Sequence, residues 1–216
     1  MPTHAELRQR FKALPATDSP DAWRIRLHRA LSWLGRAEAE PNDPDARFLF
    51  QWIALNAAYA REIGLAETER DRLRDFIARL VALDQGGRLH AALFGQFSGP
   101  IRTLIENKYV YQPFWAAQQA WDRTESWRDS FEASKRAALH ALMEKDTTKV
   151  LSIVFDRLYV LRNQLVHGGA TWNSGVNRQQ VRDGAAILGT LLPLVLDLML
   201  AHPGEDHGEI LYPVVA

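Results

Sequence analysis

The sequence contains no cysteine among its 216 residues. Disulfides, cysteine-ligated zinc and thiol catalysis are therefore excluded, and the absence fits a reducing compartment. Net charge is also missing, because 26 Lys and Arg balance 26 Asp and Glu. No global field announces a polyanionic partner, so any nucleic-acid site has to be a local patch. Lysine is scarce, at 5 residues against 21 Arg. That bias, with abundant alanine, often reflects a GC-rich bacterial genome rather than a function.

Long apolar runs are lacking as well. The most apolar stretch, Ala185–Ala201, contains Pro193 and Asp197 and falls short of the ~20 residues of a comfortable span, so it reads as a buried helix. The opening Met1-Pro2-Thr3-His4-Ala5-Glu6 has no apolar segment behind a basic start. The expectation is no signal peptide, no membrane and a cytoplasmic location. There is no run of alternating strand pattern, no internal repeat and no low-complexity segment. Gly95 to Gly99 is too short for a phosphate loop and lacks a flanking strand. Ser174 has no nucleophile-elbow context. No His-Glu-x-x-His occurs, and Glu205-Asp206-His207, after Pro203-Gly204, reads as a solvated turn. No metal or cofactor is expected.

What is present is helical punctuation in a chain that is 47% apolar, enough for a sizeable core. Asp18-Ser19-Pro20 supplies a cap and an N1 proline for a helix through about Glu38. Pro41-Asn42-Asp43-Pro44 ends it and starts a helix from Asp45 to Ile63, stopped by Gly64, with Phe48, Trp52, Leu55 and Tyr59 at helical spacing. A third runs from about Glu67 to Asp84 and closes at Gly86-Gly87. Arg88–Phe97 and Ile101–Asn107 read as short helices around Ser98-Gly99-Pro100. Asn107–Trp121 is irregular and rich in aromatics. Ser126–Met143, Thr147–His167 and Asn177–Ala201 complete the set. The expectation is one all-α domain over residues 1–216, a helical bundle with 1–17 as a candidate flexible lead and 203–216 as a C-terminal tail.

Thr147–His167 carries the most chemistry. On a wheel with Val150 at the origin, Leu161, Val154, Leu165, Leu158 and Leu151 fall between about 20° and 100°, and Phe155 and Val166 near about 140–160°. Arg162, near about 120°, lies inside this core-facing arc. A guanidinium there breaks the binary pattern, and an unpaired buried charge is costly. A snorkelling side chain, or one paired with a buried acid, is the bland explanation. Asp156, Asn163 and His167 share a second stripe. It offers too few ligands for a cation site. His167 ends the helix, and an imidazole there suits proton transfer. It also reads as a C-terminal cap followed by Gly168. Asn163, one turn earlier, is placed to orient the ring or a ligand, or is simply an exposed polar residue.

The text Leu161-Arg162-Asn163-Gln164-Leu165-Val166-His167-Gly168-Gly169 resembles the Arg-x4–6-His motif of the HEPN superfamily (higher eukaryotes and prokaryotes nucleotide-binding), with Asn in the polar slot after Arg. The segments Phe48–Tyr59 and Asn107–Trp115 look like bacterial HEPN-type proteins of the Apea-like group, and the resemblance runs through most of the chain after about residue 20. It implies a HEPN-like bundle with additional helices that forms a homodimer, the motifs of two protomers facing one another. Many members are metal-independent endoribonucleases; several act as toxins or antiphage effectors, and some have lost catalysis or bind nucleotides.

The implied site is catalytic Arg162, Asn163 and His167, with RNA as partner and an antitoxin or nucleotidyltransferase as a further candidate partner. In RNA cleavage by the 2′-hydroxyl, His167 moves a proton, Arg162 holds phosphate oxygens bidentately and Asn163 positions. One imidazole does not readily serve as acid and base in the same step, so two copies are attractive. Trp172, Asn173, Asn177 and Arg178 are candidate RNA contacts; the plainer reading makes Asn177 the N-cap of the last helix. Tyr109–Trp115 could stack bases, though aromatics at this density are more often core or interface. The alternative function is a non-catalytic HEPN-like nucleotide-binding or protein-interaction module.

Overall fold

The computed structural model describes residues 1–15, 19–61 and 68–214. Among these the chain is all-α, with ten α-helices, one 3-10 turn and no strand. The chain divides into two compact units, Met1–Leu89 with Ala185–Ala216, and His90–Gly184.

The first unit begins with α1, His4–Ala13, which the punctuation had not revealed. Its signature is short: Thr3 accepts the Glu6 amide while the Glu6 carboxylate returns to the Thr3 amide, a capping box that satisfies two otherwise unpaired donors. Leu7 on α1 is fully buried.

α2 spans Asp21–Glu38 and α3 spans Pro44–Tyr59. Pro20 is the N-cap of α2, not its first helical residue, and gives no side-chain cap; Asp18 lies outside the described residues. Asp43 caps α3 by accepting the Ala46 amide, and Pro44 sits where its missing N–H costs nothing. Trp23, Leu27, Leu31 and Leu34 of α2 are buried, as are Phe48, Trp52, Leu55 and Tyr59 of α3. α3 ends at Tyr59, earlier than the pattern suggested, and the expected stop at Gly64 lies outside the described residues. α4 covers Glu69–Leu83 behind a second capping box, Thr68 with Asp71.

α5 (Arg88–Gln96) starts in the first unit and continues into the second. α10 (Arg178–Ala201) runs the other way, and Pro193 sits inside it without ending it. Asp197 of α10, almost fully buried, is ion-paired with Arg10 and Arg88. By length and composition α10 is apolar enough to cross a membrane, but 78% of its most apolar window is buried within the protein.

The C-terminal tail is not the freely solvated turn that its charge suggests. Glu205 and Asp206 are exposed, yet His207 is half-buried, 5.9 Å edge-on from the Phe76 ring. Arg26, only 1% exposed, donates to the carbonyls of Ala60, His207, Gly208 and Glu209. Four carbonyl acceptors stand in for the carboxylate that a buried guanidinium ordinarily needs. Burial, with Arg26 and Arg79 nearby, holds the His207 imidazole below its usual pKa.

The second unit contains α6 (Ser98–Glu106), the 3-10 turn Lys108–Val110, α7 (Gln112–Gln119), α8 (Trp127–Met143) and α9 (Thr147–Val166). Ser98-Gly99-Pro100 forms the first turn of α6 instead of a break, because proline is tolerated where helix N–H groups have no partner. The aromatic stretch is ordered too. Phe114, Trp127 and Phe131 form a core cluster, with Tyr111 and Trp115 packed against it.

Candidate functional site

All the residues singled out for chemistry belong to the second unit. α9 is launched by Asp146, whose side chain accepts the Lys149 amide. Its buried side is the predicted arc of Val150, Leu151, Val154, Phe155, Leu158 and Leu161, widened by Val160 and by Arg157. The arc gives out in the last turn: Leu165 is half-buried and Val166 is 56% exposed. Val166 therefore departs from the expected core face, and Arg162 with His167 lies where the helix leaves its packing.

The helix ends in a Schellman motif. Gly168 has a φ of +70°, its amide donates to Leu165 at 3.3 Å, and the Gly169 amide donates to Gln164 at 2.7 Å. His167 is the C-cap, and its amide reaches the Asn163 carbonyl at 3.0 Å. Its side chain is exposed.

Arg162 is half-buried, its guanidinium carbon 4.7 Å from the Tyr159 ring centroid. That stacking is the snorkelling geometry which lets a cation lie along an apolar arc. Asn163 is half-buried, and its side-chain Oδ1 is buried without a hydrogen-bond partner. The bond joining Asn163 to His167 is the backbone one. Arg162 and His167 stand five residues apart, about 140° around an ideal helix, so one chain directs them to different sides of α9.

Gln164 is the organising residue that the sequence reading passed over, as one of the motif's variable positions. Its Nε2 donates to the Tyr109 carbonyl, and its Oε1 accepts Asn177 Nδ2 at 2.7 Å. Trp115 Nε1 donates to the same Tyr109 carbonyl at 2.8 Å. One amide thus ties the end of α9 to the aromatic segment and to the loop before α10. On the wheel Gln164 lies about 40° beyond Val150, at the edge of the predicted apolar arc, so no local pattern marked it out.

That tie also corrects the expected role of Asn177. With φ at +54°, it lacks the extended backbone of an N-cap. Of the other candidate contacts, Trp172 is 73% exposed. Asn173, also left-handed at φ +53°, accepts Arg178 Nη1 through Oδ1 at 3.0 Å. The loop thus presents an exposed indole beside a hydrogen-bonded arginine.

Two cations missed in the sequence lie among aromatics. Lys108 Nζ is 5.2 Å from the Tyr109 ring, 5.6 Å from Phe114 and 5.9 Å from Trp127. Arg157, 3% exposed, lies 4.5 Å from the Tyr111 ring and donates to Ser134 at 3.1 Å. Burial lowers its pKa to about 10, opposed by Tyr111 and Asp156. The tilted Tyr111–Phe131 ring contact and these cations show that much of the aromatic segment serves the unit's packing. Among the described residues no group of three His, Asp or Glu is placed to hold a metal ion. No family model, curated protein or solved structure matches the chain.

Proposed function

We propose that this protein is a metal-independent endoribonuclease of HEPN type, acting in the cytoplasm on single-stranded or loop RNA as a homodimer. The observation that carries the reading is the end of α9, where an exposed His167 and a half-buried Arg162 stand within one helical segment that has left its core. An exposed imidazole can exchange protons with a substrate. A partly desolvated guanidinium can grip phosphate oxygens more strongly than a fully solvated one. The opposing directions of Arg162 and His167 on α9 favour a site completed by a second copy. The exposed indole of Trp172 offers a face on which an unpaired base can stack.

In this mechanism the 2′-hydroxyl attacks the adjacent phosphorus and the 5′-oxygen departs, leaving a 2′,3′-cyclic phosphate. One His167 takes the hydroxyl proton and the partner's His167 protonates the leaving oxygen, while Arg162 holds the non-bridging oxygens. The test is incubation of the purified chain with total RNA in EDTA. The parent should cut RNA and leave DNA intact, and folded His167→Ala should lose at least about 10²-fold. Arg162→Lys should be severely impaired, because an ammonium lacks the bidentate fork. A folded His167→Ala protein as fast as the parent would falsify the assignment. The second reading, a non-catalytic nucleotide-binding or protein-interaction module, draws on the Schellman cap and the Gln164 tie, which give the same segment a structural task. A parent inert toward RNA would put that reading first.

A further inference from the structure

The segment that follows α10 is held chiefly through its carbonyl groups. Arg79 of α4 donates to the Asp206 carbonyl at 2.7 Å. Arg26 of α2 donates to the carbonyls of His207, Gly208 and Glu209, and Arg29 of α2 to that of Tyr212 at 2.7 Å. A backbone bridge joins Ile210 to Arg61. Gly208 turns between these ties at φ +73°, where a Cβ would stand 3.0 Å from Arg61 Cδ. Asp206–Tyr212 thus lies as a strap over α2 and α4 within the first unit. Its Ile210 and Leu211 wall one side of a space of about 440 Å³ that Asn56 and Ala57 of α3 also line.

His207 is the titratable side chain that the strap turns inward. It is half-buried, edge-on to Phe76, and its Nε2 is buried with no hydrogen-bond partner. An imidazolium carries N–H on both ring nitrogens. Protonation of the docked ring would therefore put a donor, and part of a charge, where no acceptor stands. The charged groups around the ring are Arg26 of α2, Arg61 beyond α3, Arg72, Asp75 and Arg79 of α4, and Glu205 and Asp206 next to it in the chain. Tyr59 of α3 faces it too. Asp75 lies 3.6 Å from Arg61, and the Asp206 carboxylate accepts the Gly208 amide at 2.7 Å. Among the described residues none of these carboxylates reaches Nε2. Burial, Arg26 and Arg79 all favour the neutral ring, against the weaker pull of Glu205 and Asp206.

We infer that Asp206–Tyr212 is an acid-released strap, which docks while His207 is neutral and lifts from α2 and α4 when His207 takes a proton. The proton is taken up in the lifted state, so it needs no path to the buried Nε2. The lifted ring titrates as an ordinary histidine, near about pH 6.5, and the docked ring below that. Docking is therefore at full strength above about pH 6.5 and weakens as the pH falls through that value toward the docked pKa. Lifting also takes Ile210 and Leu211 off the space they wall, which opens it to solvent.

The experiment is limited chymotryptic cleavage of the full chain. Tyr212 precedes Pro213, which leaves Leu211–Tyr212 as the strap's bond for this protease. A protease needs several extended residues around the bond, so the cut follows the lifted fraction. Its rate is divided by that of a free peptide of residues 202–214 at the same pH, which removes the pH dependence of the protease. From about pH 7.5 to about pH 5.5 this ratio should rise severalfold, under a ceiling of about tenfold set by the ordinary histidine pKa. His207→Gln should give a flat ratio. His207→Lys, a fixed cation, should reach at about pH 7.5 at least the ratio that the parent reaches in acid. A parent ratio that does not rise, or that rises as much in His207→Gln, would overturn the inference. Should His207→Gln fail to dock, and be cut as fast as the free peptide at both pH values, an NMR titration of His207 in the parent decides. A midpoint below about 6.5 is expected, and one at or above it overturns the inference.

Discussion

At the scale of single residues, α9 sets two arginines against the same apolar arc and treats them differently. Arg157 is buried between Tyr111 and Phe131 with Ser134 as its hydroxyl acceptor, whereas Arg162 is half-buried over Tyr159. Replacing a buried charge by an apolar chain of similar length is often neutral or stabilising, whereas truncating it leaves a void. Arg157→Met should therefore lie within about 1 kcal/mol of the parent, and Arg157→Ala should cost about 3 kcal/mol, both by urea unfolding. Below about pH 10, the pKa to which burial has lowered this group, folded and unfolded forms are both protonated and the cost of burying the cation is present in full. As the pH rises past that value the folded form sheds its proton first, and the cost is relieved. The parent should thus gain on Arg157→Met on going from about pH 9 to about pH 11. Equal losses for Met and Ala would show that the charge, not the packing, is what the site needs. Arg162 was legible as a charge against the pattern. Arg157 was not, because its compensation comes from Tyr111, Phe131 and Ser134, residues distant in sequence that no local spacing brings together.

At the scale of elements, the spans of α4 and α9 could be read closely from their caps, Thr68 and Asp146, and those of α2, α8 and α10 from periodicity, since their N-terminal residues make no side-chain cap or, at Asn177, lack the backbone for one. The failures have local reasons too. α1 was missed because a ten-residue helix with one fully buried side chain leaves little periodic signal beyond its capping box. Ser98-Gly99-Pro100 reads as a break, yet its proline fits a first turn equally well. The end of α9 was legible to the residue, and Gly168 makes the clearest test of it. At φ +70° an added Cβ meets nothing within 4 Å, so the cost of a side chain there is conformational alone. Gly168→Ala should lose about 1 kcal/mol, and Gly168→Asn less, because asparagine visits the left-handed region more readily. Gly169 differs: an added Cβ would stand 3.1 Å from the Gln164 carbonyl, crowding the atom that its own amide bonds. An unaltered urea midpoint in Gly168→Ala would mean that the helix end does not hold the left-handed cap in solution.

At the scale of the whole molecule, the proposed chemistry asks for two protomers. Each chain supplies one motif imidazole, His167, and turns Arg162 about 140° away from it around α9. One imidazole cannot readily take the 2′-hydroxyl proton and deliver another to the leaving oxygen in the same step, so the active unit needs two copies of α9. The exposed Val166, Trp172 and Val176 around the end of that helix are apolar material of the kind that interfaces cover. Light scattering at micromolar concentration should give twice the chain mass of 24.5 kDa. A sharper consequence follows from mixing. A dimer of one parent chain and one His167→Ala chain holds a single motif imidazole and should be nearly as inactive as the doubly substituted dimer. Incubating the parent with a tenfold excess of folded His167→Ala chain, long enough for subunits to exchange, should therefore depress the cleavage rate per parent chain by about tenfold, following the fraction of parent chains still paired with one another. The same excess added together with the RNA, before subunits can exchange, should have no effect, which separates subunit exchange from competition for RNA. If cleavage per parent chain stayed constant through that titration, each chain would be working alone, and a single His167 would have to carry both proton transfers in sequence.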